Sequence, residues 1–193
     1  MRMTNGTLVG AALGEDRAGF ATQVLLVLAA TGLLAVSAKV QVPFWPVPMT
    51  MQSLVVLVIG AAFGWRLGAA TVLAYLAEGA MGLPVFAGAG AGAAYMAGPT
   101  GGYLAGFVLA AAITGFLAEK GYTRSVPGAL AVMAIGHAVL FVPGYLWLAT
   151  LVGTEKAYHG GVEPFYYATL LKTALGAALL PAAWWAVGKI RRA

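Results

Sequence analysis

The chain has 193 residues, 61% of them apolar and 9% charged, with a mean hydropathy of +0.88. That composition lies outside ordinary soluble domains and fits an integral membrane protein. The formal charge of +5 comes without a basic cluster interleaved with aromatics, which argues against nucleic-acid binding, and the lack of cysteine excludes disulfide and thiolate chemistry.

The N-terminal 17 residues are expected to form a tail or a short interfacial segment, with no cleaved signal pattern ahead of the first long span. Residues Ala18 to Ala38 are uncharged and long enough, at about 31 Å as a helix, to cross a hydrocarbon core of about 30 Å. After Lys39 come Pro43, Pro46 and Pro48, which favour a rigid extended loop with an aromatic tip. Thr50 to Trp65 predicts a short second span, Arg66 a tight turn, and Leu67 to Gly79 a third span ending near Glu78. Gly101 to Ala118, Pro127 to Thr150 and Pro164 to Val187 predict three more, the fifth carrying His137 and a kink at Pro143-Gly144. A loop holding Glu155, Lys156, His159 and Glu163 is expected between the last two. The expectation is therefore a single all-α integral membrane domain of six transmembrane helices.

Between the third and fourth spans runs Gly79 to Tyr103, an uncharged segment with eight glycines and two prolines. Such a stretch resists a continuous helix, at a cost of about 1 kcal/mol per Gly and about 3 per Pro. Irregular backbone at membrane depth needs protein or a cavity around it, so this segment is expected to fold over a ligand site. Six spans place both termini on one side, with Arg2, Arg17, Arg66, Lys120, Arg124, Lys189, Arg191 and Arg192 on that side and only Lys39 and Lys156 opposite. The positive-inside rule then makes both termini cytoplasmic. The irregular loops after the first and third spans, with the Glu155 to Glu163 segment, face outward as a lid over an external pocket.

Ionisable groups inside apolar spans carry the functional signal. Lys172, about two turns into the sixth span, either snorkels along its own stem or donates to a ligand. Glu78 is either an interfacial carboxylate or a ligand acceptor and partner of Lys172, which would require the third and sixth spans to be neighbours. Gln52 offers one acceptor and two donors, for a cap, an interhelical bond or a ligand. Tyr95, Tyr103, Tyr166 and Tyr167 fit an interfacial aromatic belt, and two isolated histidines make a weak metal site. No GxxxxGK[ST], GxSxG or HExxH pattern occurs, and the glycines at 88, 90 and 92 lack the context of a nucleotide fingerprint. The chain is expected neither to hydrolyse ATP itself nor to be an enzyme, and no cofactor is expected.

The order VPMTMQSL (Val47 to Leu54), AYLAEGAMGLPVFAG (Ala74 to Gly88) and GPTGGYLAGF (Gly98 to Phe107) resembles the BioY family, the biotin-binding S components of energy-coupling-factor transporters. The resemblance implies a plasma-membrane, multi-pass protein that captures biotin from outside and works with a membrane coupling (T) protein and two ABC-type ATPases. A homo-oligomer is compatible with the sequence. Biotin needs apolar walls, an acceptor pair for its ureido N–H groups, a strong donor for its ureido oxygen and an anchor for its carboxylate. On that reading Phe86, Tyr75 and Tyr167 supply walls, Glu78 and Thr169 acceptors, and Lys172 the donor. Backbone amides near Gly88 and Gly90, or the first turn of the fourth span, would hold the carboxylate. Members of the family commonly carry an acidic residue where this chain has Thr169, and the glycine-rich segment offers no cation of its own. A strict Ala-xxx-Ala docking motif is replaced by Gly14/Ala18, Ala18/Thr22 and Thr31/Ala35. A solitary facilitator or ion-coupled carrier of a small organic acid is the alternative.

Overall fold

The computed structural model describes residues 6–14 and 19–191. The charges of Arg2, Arg17 and Arg192 and the start of the first span at Ala18 lie outside these residues. In chain order the helices are α1 (Leu8–Leu13), α2 (Phe20–Lys39), α3 (Gln52–Phe63), α4 (Trp65–Ala80), α5 (Gly92–Met96), α6 (Gly101–Glu119), α7 (Val126–Val152), α8 (Thr154–Gly161) and α9 (Tyr166–Ile190). Three of these helices and the stretch Thr154–Ile190 containing α9 are long and apolar enough to cross a membrane, namely α2, α6 and α7 with that stretch. At 12 and 16 residues, α3 and α4 are about 18 and 24 Å long, short of a full hydrocarbon core.

Helix α6 is the centre of the bundle and packs on α7, α3 and α4. It can because most of its buried residues are small (Gly102, Gly106, Ala110, Ala111, Thr114, Gly115 and Ala118), so neighbouring backbones approach closely. The reverse holds for α2, whose Leu25, Leu28, Leu33 and Val36 are exposed, as expected of a face covered by lipid.

The local structure gives four of the expectations a definite form. Within the N-terminal residues expected as a tail or a short interfacial segment lies the helix α1, capped by the Thr7 hydroxyl and docked on α3 and α9 through buried Leu8 and Ala11. The proline run closes a short antiparallel hairpin, β1 (Gln41–Val42) with β2 (Met49–Thr50), whose tip carries an exposed Trp45. Residues expected to form the last outward loop are the helix α8, set off from α7 by Gly153 at φ +86°. Helix α7, expected to kink at Pro143-Gly144, is continuous through Pro143. The Thr31/Ala35 pair faces the bundle: Thr31 is buried with its hydroxyl bonded to the Leu28 carbonyl, and Ala35 packs against the core. The other two small-residue pairs rest on Ala18, outside the described residues.

Candidate functional site

The N-terminal ends of α3, α6 and α9 meet at one end of the bundle, and a cavity lies among them. Its walls enclose about 570 Å³ of atom-free space, the open mouth included. Three separate irregular segments roof it. Val47 and Pro48 come from the hairpin, Phe86, Ala87 and Tyr95 from the glycine-rich stretch, and Phe165 from the turn before α9. The remaining walls are Thr50, Gln52 and Ser53, then Thr100, Tyr103, Leu104 and Phe107, then Leu140 and Phe141 of α7, and Thr169 and Lys172 of α9.

Lys172 is 94% buried, so it does not snorkel to the surface; its Nζ donates to the Thr50 carbonyl at 2.6 Å and to Ser53 Oγ at 3.1 Å. An ammonium has three donors. Two are satisfied by Thr50 at the end of β2 and Ser53 in the first turn of α3, and one remains in a residue that lines the cavity. One residue further along, the Thr173 hydroxyl meets Nδ1 of buried His137 at 2.9 Å, which continues the polar path beneath the cavity floor. Thr169 lines the cavity with its hydroxyl unpaired among the described residues.

Gln52 acts as a bridge as well as a wall. Its Nε2 donates to Tyr75 Oη at 2.7 Å, and Tyr75 Oη donates to the Val85 carbonyl at 2.7 Å, tying α3, α4 and the glycine-rich stretch together. Fully buried Tyr75 sits behind the wall, not in it, and holds Phe86 edge-on at 5.5 Å between ring centroids. Phe86 in turn stacks on Tyr95 at 5.1 Å. This packing requires glycine at 79, because a Cβ there would overlap the Phe86 ring. Burial pushes the Tyr95 phenol above its usual range, so it stays neutral and keeps its proton. Across the cavity, Tyr103, Phe141 and Phe165 form an edge-to-face series at 6.0 and 5.8 Å, and the Tyr103 hydroxyl donates to the Gly161 carbonyl of α8 at 2.7 Å. Gly144 leaves room for the Tyr103 ring, which a Cβ would strike.

The structure brings Gln52, Phe86, Thr169 and Lys172 into the cavity and leaves five expected residues out of its walls. Glu78 is half-buried at the end of α4 without an ion-pair partner among the described residues; Lys172 bonds to α3 instead. Tyr75 supports from behind, and Tyr167 is 86% exposed because it points off the outer side of α9. Gly88 and Gly90 also lie outside the walls: Gly88 gives its carbonyl to Lys39, and Gly90 accepts from the Phe86 amide.

Lys39 is the residue that sequence reasoning missed most clearly. From the last turn of α2 its Nζ donates to the carbonyls of Pro84, Phe86 and Gly88 at 2.7, 2.8 and 2.6 Å. All three donors clamp the segment that carries Phe86, so the cation absent from the glycine-rich stretch comes from α2. Tyr95 and Tyr103, which by sequence fit an interfacial belt, both line the cavity. The signal for Tyr103 and Phe107 was their i, i+4 spacing directly after the glycine-rich stretch.

These features define a multi-pass membrane protein with a small-molecule cavity of aromatic walls and a buried ammonium at one end of its bundle. Residues 15–189 match the model of the BioY family, and the chain belongs to that family. It is 38% identical over 154 residues to a probable biotin transporter BioY of Pyrococcus horikoshii, covering 80% of this chain and 91% of that protein. It is 38% identical over 150 residues to a biotin transporter BioY of Thermotoga maritima, covering 77% and 88%. Its fold is similar to the crystal structure of the S-component for biotin from an ECF-type ABC transporter, with a TM-score of 0.74, 22% identity, and coverage of 90% of this chain and 92% of the other.

Proposed function

We propose that this chain is the biotin-capturing, substrate-specific membrane subunit of an energy-coupling-factor transporter. The observation that carries the reading is the spare donor of Lys172 within an aromatic-walled cavity roofed by three loops. That donor would meet the ureido oxygen, and the two ureido N–H groups would donate to Thr169 Oγ1 and Gln52 Oε1. The fused ring would lie between the Phe86/Tyr95 pair and the Tyr103/Phe141 side. The carboxylate would reach the N-terminal turn of α6 at Thr100, where backbone amides favour an anion.

Family membership and the relatives' names support biotin as the ligand. The geometry also disfavours proton-coupled transport of a small acid by a solitary chain, because no Asp or Glu among the described residues lines the cavity. Import would then be driven by partners, a membrane coupling protein and two ABC-type ATPases, which suits a sequence without a phosphate-binding loop. We read α2, α3, α4, α6, α7 and α9 as six spans, with α3 and α4 short because the hairpin and the glycine-rich stretch complete the membrane depth above them. The basic residues Arg66, Lys120, Arg124, Lys189 and Arg191 lie in elements at the end away from the cavity, which supports cytoplasmic termini and an outward cavity.

The test is binding of labelled biotin to the purified chain. Saturable binding at nanomolar to micromolar concentration is expected, and its absence would sink the reading. Uptake in cells with and without the ATPase partners then separates it from the solitary carrier: loss of uptake without them supports the S-component role, and unchanged uptake overturns it.

A further inference from the structure

At the opposite end of the bundle, α1, the turn Tyr122–Arg124 and the last turns of α9 enclose a groove with about 1040 Å³ of atom-free space, open on one side. Its floor is apolar, from buried Ala11 and the α9 residues Pro181, Trp184 and Val187. Two arginines from different elements edge it, Arg124 and Arg191. Both are exposed, and neither has a carboxylate partner among the described residues, where the one ion pair is His159 with Glu163.

Arg124 is held in place. Its guanidinium lies 4.5 Å above the Trp184 ring, and the indole is itself fixed by a 3.2 Å hydrogen bond from Nε1 to Thr123 Oγ1. Stacking uses the face of a guanidinium and leaves its edge N–H donors free. The other cations near this end differ. Arg66 stacks on adjacent Trp65 and Lys120 on Phe116 of the preceding turn, so each is held against its own helix and neither edges the groove. Lys189, also at this end, lies 4.4 Å over the Trp185 ring of its own helix and is not among the groove's lining residues.

We propose that this groove is a binding site for an anionic phospholipid, the phosphate meeting Arg124 and Arg191 and an acyl chain lying along Pro181, Trp184 and Ala11. Charge complementarity at the rim and an apolar floor continuous with lipid-facing helix ends fit one amphiphile with a negative head. A basic pocket between helices at the positive side of a membrane is the physical setting in which such headgroups bind. A soluble phosphate would satisfy the rim and leave the floor uncovered.

The experiment is native mass spectrometry of the delipidated full chain titrated with phosphatidylglycerol or phosphatidylcholine. The proposal expects one phosphatidylglycerol retained at a concentration at least tenfold below that for phosphatidylcholine. It expects that preference to vanish in the double variant Arg124→Gln/Arg191→Gln and to persist in Arg66→Gln/Lys120→Gln. Arg191→Gln alone should cut retention about threefold, which keeps the test available if the double variant folds poorly in a thermal melt. Equal losses in the two double variants would reduce the effect to diffuse surface charge and overturn the site. Wild-type retention in Arg124→Gln/Arg191→Gln would also overturn it and leave the groove to a protein neighbour. Displacement by millimolar glycerol phosphate would show that the groove reads free phosphate and not lipid.

Discussion

Replacing Lys39 by Met keeps the unbranched apolar stem and removes the ammonium, so it isolates the clamp on the glycine-rich stretch. The wild-type side chain makes three hydrogen bonds to carbonyls of Pro84, Phe86 and Gly88, all between 2.6 and 2.8 Å. At a net value of about 0.5 to 1.5 kcal/mol for each, their sum is about 1.5 to 4.5 kcal/mol. Two of the bonds are solvent-exposed, and the freed carbonyls there can turn to water, so the lower part of that range applies, about 1.5 to 3 kcal/mol. The clamp does not touch the ligand in this arrangement. Its loss would act by loosening the backbone that presents Phe86, so ligand binding would have to order that segment and would lose the same free energy. The expected result is a roughly 10- to 100-fold weaker Kd for biotin by isothermal titration calorimetry. Amide hydrogen exchange should also quicken across residues 82–91 in the ligand-free protein. Wild-type affinity together with unchanged exchange in that segment would refute the clamp.

Lys172→Met should weaken biotin binding by about 1.5 to 3 kcal/mol through the unpaired ureido oxygen, while the melting temperature changes little because the buried ammonium carries its own desolvation cost. Wild-type affinity in that variant would remove Lys172 from the site. Glu78→Gln should leave affinity within about twofold of wild type, since the carboxylate is not a cavity wall; a tenfold loss would return Glu78 to the ligand. Gly79→Ala should lower stability by about 1 to 3 kcal/mol in a thermal or denaturant melt, because the added methyl overlaps the Phe86 ring. If it melts like wild type, the close packing of α4 on Phe86 is wrong.

The long helices α2, α6 and α7 were legible because each is an apolar run bounded by a charge, proline or glycine, and those signals are local. Predicted spans at Gly101 to Ala118 and Pro127 to Thr150 differ from α6 and α7 by at most two residues at either end. What local signals could not supply was partner choice. Lys39 and the Pro84 to Gly88 carbonyls are more than forty residues apart, and Lys172 and Thr50 more than a hundred, so neither bond leaves a pattern in either segment alone. Charge reasoning therefore offers Glu78 as one possible partner of Lys172. The bundle instead packs α9 against α3, where a backbone carbonyl at a helix start and a serine hydroxyl accept the ammonium's hydrogen bonds without a counter-ion. Backbone acceptors are invisible in a sequence because every residue has one. The tyrosines failed for a related reason. An interfacial belt and a cavity wall use the same residue type at the same helix ends, and the difference at Tyr103 is made by Gly144 on α7, which admits its ring inward. A tyrosine facing a glycine on a neighbouring helix is the pairwise feature that separates the two, and it becomes readable once α6 and α7 are known to touch.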